Sequence, residues 1–518
     1  MKNSRSKNAM LNIAFGYLAQ FGILILSFVG RKIFLNFLSV EYLGINGLFS
    51  NILTVLALAE LGLDAAVVYS LYKPVAEDDR PMIYSLITYF KKIYIGLALA
   101  IFAAGVALVP FLRFIVNSDL GQLELIGYYL LFLTNTVATY FVAHKVALIT
   151  AAQEQRIQKI VMLSTNLLAQ ILHIIVLVLW HNYYIYIAVT VLTTILSSII
   201  MGRICTRMHK DVFAEKTLVP FDKAPIKKKI FSTLIYKLGT VAVNNTSNIL
   251  ISVLVSTAAV GLYSNYFTVT SAVQGFIVIV TVSLISGIGN LAVKATKEKQ
   301  YDFFNVILLA YHFIAALGGI GFALLFNELI VLWLGAEYLF EWHTVLVIAL
   351  NFYVTNAISP IYMYREANGL FEKVRYLMLI RAAVNILLAV LLGTMWGTFG
   401  VLLATVLSML LTNVWYEPIV LFGTVFGTSS LRYWGRQLYY FVLTVLSFAL
   451  SYLAVHLISG SGLLYFAIKA MAILVIVSLV FLVFNMKSSG IAYMKGIFKR
   501  FLKKKPQTTT NSETETHE

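Results

Sequence analysis

The sequence predicts an all-α polytopic membrane protein of about 14 transmembrane helices: two pseudo-symmetric six-helix lobes plus two C-terminal helices, with both termini cytoplasmic. Three observations carry this. Of 518 residues, 60% are hydrophobic and only 12% charged, and the mean hydropathy is +0.85. A soluble domain carries roughly 25% charged residues, and a single soluble core stops growing near ~250–300 residues. Apolar runs long enough for a bilayer, ~20 residues each, recur along the chain. They are continuous, whereas strands of an outer-membrane barrel alternate, so helices are the expected form.

The expected spans are roughly 10–35, 44–71, 83–112, 123–149, 158–180, 184–204, 231–255, 261–292, 303–334, 341–364, 374–393, 397–422, 437–458 and 463–485. Their short connections suit antiparallel neighbours. The basic N-terminus, Met1–Asn8, precedes an apolar stretch without a small-residue cleavage site, and so reads as leading into a retained first span. The polar segment 205–230, with Pro220, Pro225 and Lys227-Lys228-Lys229, is the best linker candidate. It divides a six-helix lobe over 1–204 from a second over 231–425; two further helices occupy 426–486. The tail 487–518 contains a basic amphipathic stretch, Ile491–Lys505, expected on the inner leaflet, and a Ser/Thr/Glu-rich end expected to be disordered.

With the N-terminus inside, 35 of the 39 lysines and arginines fall on the cytoplasmic side. Only Arg31, Lys32, Arg113 and Lys469 fall outside, as the positive-inside rule demands. The net charge of +16 is thereby explained by topology and anionic headgroups, and nucleic acid is excluded as a partner. The single cysteine, Cys205, allows no internal disulfide and reads as an embedded apolar residue.

The halves match weakly at an offset of 217 residues. Ser39-Val40-Glu41-Tyr42-Leu43-Gly44 aligns with Ser256-Thr257-Ala258-Ala259-Val260-Gly261, each in the outer loop entering a second span. An even number of spans per repeat gives both halves one orientation, related by an axis along the membrane normal.

Here the chain resembles a known family. Gly30-Arg31-Lys32-Ile33-Phe34, Glu41-Tyr42-Leu43-Gly44, Glu60-Leu61-Gly62-Leu63 and Leu71-Tyr72-Lys73 are similar to the polysaccharide flippase branch of the MATE-like multidrug/oligosaccharidyl-lipid/polysaccharide exporter superfamily. The likeness is strongest over 10–95 and extends by topology over 1–425. It implies alternating access and movement of a polyprenyl-diphosphate-linked oligosaccharide across the cytoplasmic membrane of a bacterium. A polymerase and glycosyltransferases are then expected partners. The resemblance implies no cofactor and leaves proton or sodium coupling open.

Charges at mid-membrane cost at least ~2.5–3.5 kcal/mol each, so each needs a partner or a watery cavity. Glu60 and Asp64, spaced i, i+4 on span two, read as coupling-ion ligands or as ion-pair partners. Arg31 and Lys32 are candidates for the diphosphate, with headgroup snorkelling the plainer role. Lys91, Lys92, Lys145 and Lys237 read as a cytoplasmic-side phosphate vestibule or as ordinary topological anchors. Arg381 lies deeper in span eleven than an anchor requires. His173 and His312 read as packing residues before proton carriers. Pro360 and Pro418, the latter beside Glu417, are hinge or static-kink candidates.

No nucleotide-binding Gly-rich loop or metal-ligand spacing is present. Two rival functions remain. A cation-coupled drug exporter of the same fold predicts a tight acidic and aromatic pocket. A glycan polymerase or acyltransferase predicts a large outer loop or a catalytic His-Asp pair, and no expected outer loop exceeds ~15 residues.

Overall fold

The computed structural model describes residues 21–486 except 23, 153 and 375. Side chains are described except at 59–62, 65, 155, 225–233, 235–237, 240, 244, 286, 290, 293–294 and 371–372. The N-terminal and C-terminal tails, including Ile491–Lys505, lie outside the described residues.

The chain is all α-helical across this region. In order come α1 (24–37), α2 (Val40–Leu56), α3 (Leu58–Ala76), α4 (Arg80–Leu108), the short α5 (Leu112–Ile115), α6 (Gln122–Ala151), α7 (Gln155–Trp180), α8 (Tyr183–Met208) and the short α9 (Lys210–Ala214). Then follow α10 (Ala224–Leu254), α11 (Thr257–Lys294), α12 (Lys297–Trp333), α13 (Trp342–Ala367), the short α14 (Phe371–Val374), α15 (Leu377–Leu411), α16 (Asn413–Leu421), α17 (Leu431–Leu457) and α18 (Leu463–Asn485). Local chemistry sets several starts: Asp79, Asn182, Ser256 and Thr296 each accept from the backbone N–H three residues on, capping α4, α8, α11 and α12.

Ten described helices are long and apolar enough to cross a membrane. The expected first span begins outside the described residues. The expected second span is two helices, broken at Ala57. The expected eleventh and twelfth spans run together over Leu377–Phe426, parted by non-helical backbone at Trp396 and Gly397. Gly397 holds φ +57°, which a side chain disfavours. A π-helical turn, Phe422–Phe426, follows α16 and ends on Gly427 at φ +68°. Pro360, by contrast, lies inside an unbroken α13, and Pro418 inside α16. The breaks thus fall at Ala57, at Trp396–Gly397 and at Thr412; α13 is unbroken at Pro360, while Pro418 lies between the Thr412 break and the π-helical turn.

Buried apolar side chains form two clusters. One runs from Phe34 to Val212 and the other from Ile251 to Phe481. Helices α17 and α18 join the second: Tyr440 stacks on His312 at 4.7 Å, and the Lys469 ammonium meets the Glu328 carboxylate at 3.0 Å.

The two halves meet most closely where α2 and α11 begin. A Cβ on Gly44 would stand 1.9 Å from the Thr257 carbonyl oxygen, and one on Gly261 would stand 2.0 Å from that of Val40. The contact is reciprocal, since both pairs are related by the 217-residue offset. Around it Thr257 N donates to the Asn117 carbonyl (2.9 Å), Asn117 Nδ2 to that of Val255 (3.0 Å), and Ser252 Oγ to that of Ile115 (2.9 Å). Trp333 Nε1 donates to the Phe28 carbonyl (3.0 Å) while the two rings stack. All of this lies at the end of the bundle that the charge bias assigns to the outside.

Gly44→Ala should destabilise the protein by about 1–3 kcal/mol through forced separation of α2 and α11. Gly96→Ala, with nothing within 4 Å of the new Cβ, should hold or raise stability. Thermal unfolding in detergent measures both; equal midpoints would remove the close approach as a stability determinant.

Candidate functional site

The first half contains a partly open polar cavity of about 390 Å³, neutral among the described residues. Asn46, Ser50 and Thr54 enter it from α2, Asn135 and Thr136 from α6, and Thr190 from α8. The α2 residues recur every four positions, one face of a helix. The Asn135 carbonyl oxygen is buried there without a hydrogen-bond partner, a costly state that a bound molecule or water relieves. Behind Thr190, His173 Nε2 lies 3.0 Å from its hydroxyl and the His173 ring stacks on Tyr186, which makes this histidine a packing residue. The sequence signal for the cavity was the polar i, i+4, i+8 stripe on an otherwise apolar helix, which the search for charges passed over.

Arg31 spans the seam between the halves. Its Nη1 donates to Ser264 Oγ (2.7 Å) and Asn265 Oδ1 (3.3 Å), and its Nη2 to Thr268 Oγ1 (2.8 Å). All three acceptors are on α11 and all are neutral, and among the described residues Arg31 makes no ion pair. Lys32, one residue on, is exposed.

The other expected residues do not converge on Arg31. Asp64 is exposed and accepts from the Tyr94 hydroxyl at 2.5 Å, tying α3 to α4. The side chains of Glu60 and Lys237 lie outside the described residues. Lys91 and Lys92 are exposed on α4. Lys145 donates to Thr206 Oγ1 (2.8 Å) and the Gly202 carbonyl (3.3 Å) on α8.

A second charged centre lies in the other half. Arg365 Nη1 contacts both oxygens of Glu417, at 2.9 and 2.7 Å, with both side chains buried. Asn413 Nδ2 donates to the same carboxylate at 2.6 Å. Arg381 faces this carboxylate electrostatically, and its Nε is buried with no hydrogen-bond partner. A polar seam continues from it through Thr412, Ser408 and Asn385 to Thr405 and Ser247. Arg381 stands out in the sequence as a deep charge, and Glu417 only as the neighbour of Pro418; Arg365 does not, because at the inner end of its span it reads as one more positive-inside anchor.

Breaking a buried pair strands a charge, at about 3–5 kcal/mol. Glu417→Leu should therefore lower the unfolding midpoint sharply, leaving Arg365 and Arg381 facing each other. Arg365→Met with Glu417→Leu should recover much of the loss. A double variant as unstable as the single one would show that the pair is not the stabilising unit.

With this geometry in hand, the relatives can be placed. Of the solved structures that share the fold, a lipid II flippase MurJ in an inward closed conformation superposes with a TM-score of 0.66 at 13% identity, covering 92% of this chain and 99% of that one. An inward-facing multidrug resistance MATE family transporter of the MOP superfamily gives 0.59 at 13% identity, covering 78% and 98%. A mutant of the Vibrio cholerae MATE transporter VcmN gives 0.56 at 13% identity, covering 82% and 99%. No curated protein matches the chain significantly. The fold is that of alternating-access transporters and flippases of the MATE-like superfamily rather than of catalytic enzymes, in a multi-pass membrane protein. Residues 10–285 match the family described as polysaccharide biosynthesis protein; the chain belongs to that family.

Proposed function

We propose that the protein is a flippase that carries polyprenyl-diphosphate-linked oligosaccharide units from the inner to the outer leaflet of a bacterial cytoplasmic membrane. It would serve the assembly of a surface polysaccharide, with both termini on the cytoplasmic side and two lobes that rock about their seam. The observation that carries this reading is Arg31. A guanidinium held across the seam by three neutral acceptors keeps its full charge and its fork geometry for a diphosphate.

The mechanism follows from competition. Hydrogen bonds to a charged donor contribute about 1.5–3 kcal/mol each. A diphosphate reaching Arg31 offers charged oxygens in place of Ser264, Asn265 and Thr268. Arg31 then leaves α11, and the outer contact around Gly44 and Gly261 loses one of its polar ties. Substrate arrival and outer opening are thus coupled through one side chain. Glu60 and Asp64 are proposed as the groups that bind a coupling ion or re-pair as the halves move. Lys91 and Lys92 would receive the diphosphate from the cytoplasm, along with Lys237.

The neutral cavity in the first half supports the same reading over a cation-coupled drug exporter. Among the described residues its lining carries no carboxylate, whereas the exporter reading predicts an acidic and aromatic pocket. The family description, polysaccharide biosynthesis protein, points the same way.

Purified protein in proteoliposomes should expose a fluorescent polyprenyl-diphosphate-linked oligosaccharide to a membrane-impermeant quencher on the far side. Arg31→Ala should reduce this at least tenfold with normal folding, and Arg31→Lys should recover only part, because an ammonium lacks the fork. Unchanged flipping by Arg31→Ala would sink the assignment of Arg31. Gradient-driven efflux of a cationic dye without lipid flipping would favour the exporter instead.

A further inference from the structure

A groove of about 900 Å³ runs between α4, α6 and α8 on the first half, outside the seam and outside the neutral cavity. Its two long walls share one pattern. On α8, Ile195 and Ile199 are followed at the same four-residue spacing by Arg203 and Arg207; on α6, Phe141 is followed by Lys145. Each wall is therefore apolar along most of its length and cationic at one end, the end that the charge bias assigns to the cytoplasm. From Ile195 to Arg207 a helix rises about 18 Å, close to one leaflet of a hydrocarbon core ~30 Å thick.

We infer that this groove is a binding site for an anionic phospholipid of the inner leaflet, its phosphate between Lys145, Arg203 and Arg207 and an acyl chain along Phe141, Ile195 and Ile199. The Lys145 ammonium is stationed between the walls by Thr206 and the Gly202 carbonyl and lies 5.3 Å from the centre of the Phe213 ring; two of its three donors are used in these hydrogen bonds. Arg203 and Arg207 are exposed and make no ion pair among the described residues. No carboxylate lines the groove, and nearby Glu154 is engaged by His209 at 3.2 Å. Ordinary snorkelling needs cations alone; here the cations close a channel of acyl-chain length.

The second half shows what covers such a surface otherwise. By the 217-residue offset α4 corresponds to α12 and α6 to α13. In that half α17 and α18 pack on α12 and α13, and α17 reaches the equivalent of the groove, where Trp434 lies 4.4 Å from Trp415, the counterpart of the groove residue Ser198. The apolar stretches of α12 and α13 are accordingly 67% and 72% buried, against 22% and 28% for the helices of α4 and α6. The first half has no described helix in that place, and a lipid supplies the missing cover.

The test is native mass spectrometry of the full chain in detergent, titrated with dioleoylphosphatidylglycerol or dioleoylphosphatidylcholine. Wild type should retain the anionic lipid preferentially. Arg203→Gln with Arg207→Gln should weaken that binding about 30-fold, from ~1 kcal/mol per basic residue. Ala138→Trp, which fills the groove at unchanged charge, should weaken it as much, with Ser198→Phe as the alternative filler should the first fail to fold. Neither change should affect phosphatidylcholine. Equal retention of the two lipids by wild type would overturn the inference, as would full anionic-lipid binding in a well-folded filled variant. Displacement of phosphatidylglycerol by undecaprenyl phosphate at lower concentration would overturn the choice of a phospholipid and make the groove a carrier-lipid site.

Discussion

The contacts at one end of this protein depend on two helices approaching to backbone distance. Gly44 and Gly261 sit where a methyl group would overlap a carbonyl of the opposite half, and the 217-residue offset makes each the other's counterpart. Without a hydrophobic drive between helices in lipid, close packing of small residues and interhelical hydrogen bonds must supply the adhesion. The glycines provide the first, and Arg31, Asn117, Ser252 and Trp333 provide the second. The seam is strong enough to close yet built from a few polar contacts that a charged ligand can outbid.

Charge is distributed unequally between the halves. In the second, Glu417 cancels one arginine and faces another, within a continuous hydrogen-bonded seam. In the first, the described lining of the cavity is neutral and the cations sit elsewhere: Arg31 at the seam, Lys145 in the lateral groove.

The fold was largely legible in the sequence because bilayer physics writes it plainly. Long apolar runs and sided lysines and arginines are first-order signals, and even the 217-residue repeat marks the two crossing glycines. What was not legible follows from directions in space. Arg365 looks like an anchor until Glu417 is seen beside it, since their partnership spans helices far apart in sequence. Prolines are the usual residues for helix breaks, yet α13 runs unbroken through Pro360, and the chain breaks at Ala57, at Trp396–Gly397 and at Thr412, six residues before Pro418. A proline inside a helix removes one donor that neighbouring packing can absorb, whereas Gly397 takes up a left-handed turn that no helix can contain. The polar stripe Asn46, Ser50, Thr54 carried no charge, and so gave no reason to look there.

The unequal covering of the two halves has a mechanical meaning. With α17 and α18 laid over α12 and α13 and fastened by the Lys469–Glu328 pair and the His312–Tyr440 stack, the second half is the stiffer body. A bundle braced on its back resists bending, while one faced only by fluid acyl chains can flex without breaking protein contacts. Were the halves to move against each other, the second would be the frame and the first the moving arm. The composition of the surrounding membrane would then act most directly on the arm.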